Sequence, residues 1–595
     1  MCRIAGIISN KLSHDQRHNM VSLMCDALKH GGPDDEGIYS ADDVNLTFGH
    51  RRLSIIDLTT NGHQPMTDVN RKAWITYNGE IYNYPELRSQ LIKEGATFHS
   101  DTDTEVIVQA YLYWGTKAFS MLRGMFAFAL YDAGKALTYL VRDTTGIKPL
   151  YYHIDGGQLS FASEVKAIKA AGITMQENPQ WAIKFLAYGH IPEPYTTLNN
   201  VYSLVKGEML CWNHQNSSAV ISAYGTTARG TAITNLADAH AAIEHSLKTA
   251  VKRQLIADAP IGVFLSGGID SSLITLLAEE QKHQDLKTVS IFFDEDAYDE
   301  RAFQQKVFEQ IGGEKFTHLV RQQDFNQFFP DALDAMDMPT TDGINSWFIS
   351  KYAHQDGLKA VLSGIGADEL FGGYPSFNRI AYIKYLRSLP NTLIKTFTNV
   401  APDRYKRAMF LTQKHAIADY LFLRGLFTPP DIAALLNCDE SQVYQALFSD
   451  EDKLNIECYN QETASWFETN LYMQNQLLRD TDIMSMNHGL EVRVPFLDED
   501  FQQTVNSIAP QLRFAKNQPK KILITTFRNI LPKAVWDRPK MGFSFPLQQW
   551  MRNHPAITDL NLYNSNKGKS IITLFNKNKI HWSKAFALYQ IQRHV

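Results

Sequence analysis

Cysteine is scarce in this chain and widely scattered. Cys2, Cys25, Cys211, Cys438 and Cys458 are odd in number and form no CxxC pair. That argues against a disulfide framework and a structural zinc site, and it fits a reducing compartment. Long apolar runs are missing too: none approaches the roughly 18 residues that cross a bilayer. The start, "MCRIAGIISN", lacks the basic and apolar regions of a secretory leader. Basic charge is not in excess, since 58 Lys and Arg stand against 63 Asp and Glu, a net −5. Neither nucleic acid nor membrane is therefore expected as a partner, and the expected class is a soluble cytoplasmic protein.

What is present divides the chain. The first 210 residues or so hold short apolar or alternating runs such as "RIAGII", "KAWITYNGEIYN", "GMFAFALYD" and "ALTYLVRD", with helical patterns near 15–29, 84–94 and 103–121. This reads as strand-rich α+β. The polar, small-residue stretch 213–235 reads as a linker. An amphipathic helix follows from 236. "PIGVFLSGGIDSSLITLLAEEQ" then gives a strand, a glycine turn and a helix, and "LKTVSIFF" and "LKAVLSGIG" read as further buried parallel strands. That order predicts a doubly wound α/β core, with mostly helical patterns from about 375. The expected domains are 2–212, the linker 213–235, and 236–595.

A cysteine directly after Met1 becomes terminal if Met1 is removed. Its α-amine then titrates near pH 7.7–8.0 and can take the thiol proton. On its own this is a small residue near a terminus. It is followed in order by "HGGPDDEG" (30–37), "GHRRLSIIDL" (49–58), "YNGEIYNY" (77–84), "SDTDTEVI" (100–107), "RDTTGIKPLYY" (142–152) and "FASEVKAI" (161–168). Together these resemble the class II glutamine amidotransferase domain, an N-terminal-nucleophile (Ntn) fold with an αββα sandwich. The resemblance implies Cys2 as nucleophile on glutamine's side-chain amide, with the Asn78 side chain and the Gly79 N–H as the oxyanion hole. It also implies Arg52 on the glutamine carboxylate, and Glu80 and Asp103 on its ammonium group.

In the second half, "FLSGGIDSSL" (264–273) sets glycines and hydroxyls between a strand and a helix start, where backbone N–H groups can meet an anion. No GK[ST] follows, so this is not a Walker A loop. It resembles the pyrophosphate loop of N-type ATP pyrophosphatases. Ser266, Gly267, Gly268, Asp270 and Ser271 would then meet the phosphates, with adenine near Leu265, Phe293, Ser363 and Gly364. Asp270 and Asp368, the latter in "LSGIGADELFGGY" (362–374), are hard oxygen ligands suited to Mg²⁺ beside ATP. "HGLEVRVPFLD" (488–498) and "DRPKMGFSFPL" (537–547) match the asparagine synthetase family, in which Lys540 corresponds to a lysine facing the phosphates.

Both halves in this order resemble the glutamine-hydrolysing asparagine synthetases over nearly the whole chain. The implied reaction releases ammonia from glutamine, adenylates a carboxylate with MgATP, and gives an amide, AMP and pyrophosphate; a homodimer is implied as well. Two positions depart from the pattern. Ile365 stands where asparagine-making members usually carry glutamate, and Ile483 falls where they usually carry Lys or Arg. Replacing both members of a buried ion pair by apolar groups can be neutral, whereas losing one costs roughly 3–5 kcal/mol. The pair is therefore read as an acceptor-specificity feature. The reading left open beside aspartate is another carboxylate, a sugar uronate or a peptide or antibiotic precursor.

Overall fold

The computed structural model describes residues 2–225, 230–449, 456, 458–515, 518–539, 541–542 and 544–594. Two six-stranded antiparallel sheets make up the first part, and a five-stranded parallel sheet the second. The strand Gly124–Asp132 shows how the sequence builds the sandwich. It is buried on both faces, and its residues alternate as a strand requires. Phe126, Phe128 and Leu130 join the cluster under the helices Tyr84–Lys93 and Asp103–Trp114. Ala127 and Ala129 join the cluster between the sheets, opposite Ile4 and Phe48. Large residues thus serve the helix side, and small ones let the two sheets approach. The helices His14–Ala27 and Val165–Ala170 cover the other sheet, which completes the αββα order.

The stretch 213–235 is a linker only in part. Ser218–Ala223 pairs antiparallel with Glu208–Asn213 and forms the edge of the second sheet. Ile233 is bridged to Ile508. The misreading has a simple cause: the edge strand is exposed along most of its length, so it carries no buried-face alternation.

In the parallel sheet the spatial order is Glu314–Leu319, Lys287–Phe292, Ile261–Phe264, Ala360–Leu362 and Glu491–Arg493. Successive strands run outward from Ile261–Phe264, and then the chain returns to lay Ala360–Leu362 on its other side. That reversal is a topological switch point, where the turns after two neighbouring strands diverge and leave a crevice. Both Gly-rich turns leave from it. Among the described residues no helix is long and apolar enough to cross a membrane.

Candidate functional site

Around Cys2 the groups named from sequence come together. Cys2 is buried and begins the strand region paired with Leu46–Arg52. Its backbone N–H donates to Asn78 Oδ1 at 3.3 Å. Asn78 lies mid-strand with its side chain fully buried, and its Nδ2 has no hydrogen-bond partner among the described residues. A buried donor left open is costly unless something else accepts from it. Gly79 is required by close approach, because a Cβ there would stand 2.2 Å from the Met125 carbonyl oxygen. Burial pushes the Cys2 thiol up, while the chain's amino terminus, a backbone hydrogen bond and Arg52 oppose it. A thiol in that state needs a base close by to react.

Arg52 donates to the carbonyls of Thr59 at 2.8 Å and Asp57 at 2.5 Å. Those bonds hold its guanidinium at a fixed place beside the cysteine. Asp103 accepts from the Tyr77 hydroxyl at 2.7 Å and from the Ile81 N–H at 3.0 Å. Glu80 is engaged across the molecule. Its carboxylate lies 3.3 Å from Arg493, which also pairs with Glu491, and burial pushes the Glu80 carboxyl well up despite Arg493. Arg493 was not singled out from the sequence, although it lies inside "EVRVPFLD". The "RDTTGIKP" stretch proves to be architecture: Asp143 accepts from the backbone N–H groups of Thr145, Ile147 and Lys148, each at 3.0 Å.

At the switch point the two Gly-rich turns meet. A Cβ on Gly364 would come within 2.8 Å of the Ser271 nitrogen and 2.9 Å of Asp270 Cβ, so glycine permits the contact. Ser266 and Ser271 hydroxyls bond each other at 2.9 Å, and Ser266 Oγ accepts from the Gly268 N–H at 3.3 Å. Gly267 takes φ +84, a value that favours glycine. Asp270 and Asp368 converge on one cation, the Lys520 ammonium, 2.5 Å from Asp270 Oδ2 and in contact with Asp368. Against the burial that would lower it, these two carboxylates hold Lys520 above its usual range. Two carboxylates that already share one positive charge can share a divalent cation. Lys520 was not found from sequence, where nothing marks it among the neighbouring lysines. Lys540 lies outside the described residues.

The turns open into a cleft of about 470 Å³. Ser266, Gly268, Asp270, Ser271, Ser363, Gly364 and Asp368 line it, and so does Ile365. Leu265 and Phe293 do not. Both are core residues, and Phe293 packs edge-on against Phe545 and Trp550; Phe264 lines the cleft instead. Nor does Ile483 share the cleft with Ile365. It is buried and lines a separate small cavity with Met336 and Met338. The helix Arg479–Met486 presents Asp480 and Thr481 to the cleft. The two isoleucines are therefore not one apolar pocket.

Sequence reasoning also missed the far wall. Tyr472 and Leu477 come from the π-helical stretch Glu468–Leu478, a feature common at functional sites. Arg424 stacks 3.6 Å over Tyr472 and forks onto Glu468 at 2.9 and 2.6 Å. Glu369 accepts from the Tyr374 hydroxyl at 2.7 Å. Burial raises Asp480 to about 7, with Arg479 opposing. The described cations lining the cleft are Lys520 and Arg538; Arg538 is held on Glu300 at 2.6 Å and on the Gly267 carbonyl at 3.0 Å.

The two sites are joined by buried charge. Asp482, two residues from Asp480, lies between Arg3 at 2.6 Å and Lys148 at 2.8 Å, and Arg3 also meets Glu164 at 2.7 Å. Arg3 is the neighbour of Cys2. The Ser363 N–H donates to the Arg493 carbonyl at 2.8 Å, which ties the Glu80 partner to the start of the second turn.

Two family models match the chain. The Asparagine synthase family model matches residues 242–581, and the Glutamine amidotransferase domain model matches 1–224. Asparagine synthetase [glutamine-hydrolyzing] 1 of Bacillus subtilis is 30% identical, covering 93% of this chain and 88% of that protein. Amidase chyE of Penicillium rubens is 26% identical over 92% of this chain and 88% of its own. Among solved structures, a B. subtilis glutamine phosphoribosylpyrophosphate amidotransferase covers 53% of this chain and 81% of its own. Its TM-score is 0.30 at 15% identity.

Proposed function

The chain belongs to the glutamine-hydrolysing asparagine synthetase family, and from that premise we propose that it is a glutamine-dependent ligase converting a carboxylate to an amide as ATP goes to AMP and pyrophosphate. The amidotransferase unit runs from Cys2 through Ala223 and the synthetase unit from Leu236 onward. The observation that carries the reading is the meeting of the two Gly-rich turns, where Asp270 and Asp368 close on one cationic charge.

In the first unit Cys2, once terminal, passes its thiol proton to its own α-amine, which Asn78 Oδ1 orients. The thiolate attacks the amide carbon of glutamine. The open Asn78 Nδ2 and the Gly79 N–H take the developing oxyanion, each donor contributing about 2.7–4 kcal/mol. Arg52 binds the glutamine carboxylate, while Glu80 and Asp103 bind its ammonium. Ammonia leaves, and water then releases glutamate from the thioester.

In the second unit the SGGIDS backbone and its serines hold the phosphates. Mg²⁺ held by Asp270 and Asp368 neutralises phosphate charge when bound. Lys520 adds donors at the same end, and by resemblance Lys540 is assigned to the phosphates as well. The acceptor carboxylate attacks the α-phosphorus, pyrophosphate departs, and ammonia displaces AMP from the acyl-adenylate. By family, the acceptor is aspartate.

A second acceptor reading rests on the far wall. Ile365 lines the cleft, and the two described cations lining it sit toward the phosphate turn. The cation behind the far wall, Arg424, is stacked on Tyr472 and already paired with Glu468, so an aspartate α-carboxylate finds no described cation there that is not already paired. A carboxylate without a neighbouring anion, such as a sugar uronate or a peptide-type precursor, fits that wall better. The test supplies MgATP and glutamine with aspartate, uronates or peptide carboxylates, and quantifies AMP and amide. Efficient asparagine formation removes the second reading. AMP formation with no carboxylate tested, or none at all, counts against the ligase assignment.

A further inference from the structure

Exposed apolar side chains concentrate in one stretch of the chain. Seven of the 19 large ones among the described residues fall within the 24 residues from Tyr382 to Tyr405. The helix Ser376–Arg387 and the turn after it expose Tyr382, Tyr385 and Leu389, spaced i, i+3 and i+7. The helix Asn391–Val400 exposes Leu393, Phe397 and Val400, spaced i, i+4 and i+7. The Phe397 ring lies 6.4 Å from Tyr405, which carries the apolar surface onto the next segment. Exposure is large: 53% for Phe397, 72% for Tyr385 and 83% for Val400.

These residues are not the inner faces of their helices. Phe377, Ile380 and Ile383 already anchor the first helix, and Ile394 the second. A helix that is apolar on both its inner and outer faces calls for a second covering surface.

Charge selects the cover. Residues 376–407 hold seven basic side chains and one acid, Asp403, within a chain whose net charge is −5. Asp403 is engaged by Lys584 at 2.7 Å. Arg379, Lys384, Lys395 and Arg404 are all exposed around the apolar residues. A second copy docking this face on itself would oppose like charges across a symmetric contact. An anionic lipid surface meets both features: aliphatic and aromatic side chains enter the headgroup layer, tyrosines sit at its polar edge, and lysine and arginine stems reach the phosphates.

We propose that the face built by residues 376–407 docks peripherally on an anionic lipid bilayer, with Leu393, Phe397 and Val400 entering the headgroup layer and Lys384, Lys395 and Arg404 on its phosphates. The lack of a spanning helix among the described residues speaks to crossing a bilayer and not to lying on one.

The test is co-sedimentation of the full chain with phosphatidylcholine vesicles, with and without about one-third phosphatidylglycerol. Binding to the anionic vesicles is expected to exceed that to neutral ones about tenfold and to fall at high salt. The double variant Phe397→Ser, Val400→Ser is expected to lose about tenfold in binding. Lys384→Gln with Lys395→Gln is expected to erase the preference for anionic vesicles. Retained glutamine hydrolysis in each variant establishes that it is folded. Equal pelleting with and without vesicles overturns the proposal, as does binding indifferent to both salt and the lysine pair. A dimer in sedimentation velocity that the Phe397, Val400 variant dissolves, with no vesicle binding, assigns the face to self-association and overturns it too.

Discussion

Around Cys2 the implied groups are held by backbone, whereas around Ile365 the walls are side chains supplied by distant parts of the chain. Asn78 and Gly79 sit mid-strand, Cys2 directly precedes the strand Arg3–Ile8, and Arg52 ends a third. The acceptor wall draws Ile365 from a turn, Tyr472 from a π-helix, and Asp480 from the helix after it. A site fixed by strands tolerates little drift, and its residue identities follow from the geometry. A wall of side chains can be exchanged while the strands stay as they are. The glutamine chemistry is thus the half of the molecule fixed by backbone, and the acceptor end is the half set by exchangeable side chains.

The sharpest way to break that comparison is to silence one site at a time. Cys2→Ala is expected to reduce glutamine-dependent amide formation by at least about 10⁴-fold, the loss typical of removing a nucleophile, while free ammonium still supports AMP formation. Asp270→Ala is expected to stop AMP formation with either nitrogen source while glutaminase activity remains. Each variant is assayed for glutamate release and for AMP. If either substitution removes both activities in a folded protein, the two sites are not separable chemistries.

Next in size is the oxyanion donor. Asn78→Ala removes the open Nδ2, and kcat for glutamine hydrolysis is expected to fall about 10²–10³-fold, with a smaller change in KM. A main effect on KM would make Asn78 a binding group instead. The substitution also removes the acceptor of the Cys2 N–H, so the pH profile of the residual activity is expected to shift along with kcat.

The legibility of the chain follows the same divide. Cys2, "NGE" and "SGGIDS" could be read because their chemistry depends on backbone approach. Only glycine fits at 79 and 364, and such constraints leave local motifs. Lys520 left none, since a lysine reaching two aspartates some 150 and 250 positions away looks like any surface lysine. Ile483 misled for the opposite reason. An ungapped count along the chain paired it with Ile365, but a helix turns 100° per residue. Thr481 faces the cleft, and Ile483, two residues on and about 200° round, faces the small cavity that Asp480 also lines. The edge strand Ser218–Ala223 was invisible because it is paired along one side and exposed on its surface.

The two halves are also fastened together, and the fastening can be tested for its cost. Asp482 is buried between Arg3 and Lys148, and those two cations hold its carboxyl below the usual range despite burial. Asp482→Ala leaves Lys148 buried without its partner, for an expected loss of roughly 3–5 kcal/mol in unfolding free energy, read by denaturant titration. Because the folded carboxyl is depressed, the wild-type contribution is complete above the unfolded value near 3.9 and disappears only as pH falls below it. The variant deficit should therefore be flat from pH 5 upward. A loss under about 1 kcal/mol, the range of a surface pair, would mean that the halves are not held together here.

Asp480 gives an effect confined to one pH window and the one most particular to the acceptor wall. Burial raises its carboxyl to about 7, with Thr340 Oγ1 donating to it at 2.5 Å. The sign is opposite to that of Asp482. Below the unfolded value near 3.9 the group is protonated in both states, and it costs nothing. Between about 4 and 7 the unfolded chain loses the proton first, so stability falls as pH rises, by at most about 1.4 kcal/mol per unit. Above about 7 both states are charged and the penalty is constant. Asn in its place keeps an oxygen for Thr340 and removes the titration. Asp480→Asn is thus expected to match the wild type near pH 4, and to exceed it progressively up to about pH 7. The same substitution is expected to flatten any change in acceptor KM between pH 6 and 8, because Asp480 faces the cleft, and to leave glutamine KM unchanged. Parallel stability curves for the two proteins would show that Asp480 stays ionised in the fold. The acceptor wall would then be permanently charged, and an acceptor carrying an ammonium group would suit it better than a neutral sugar.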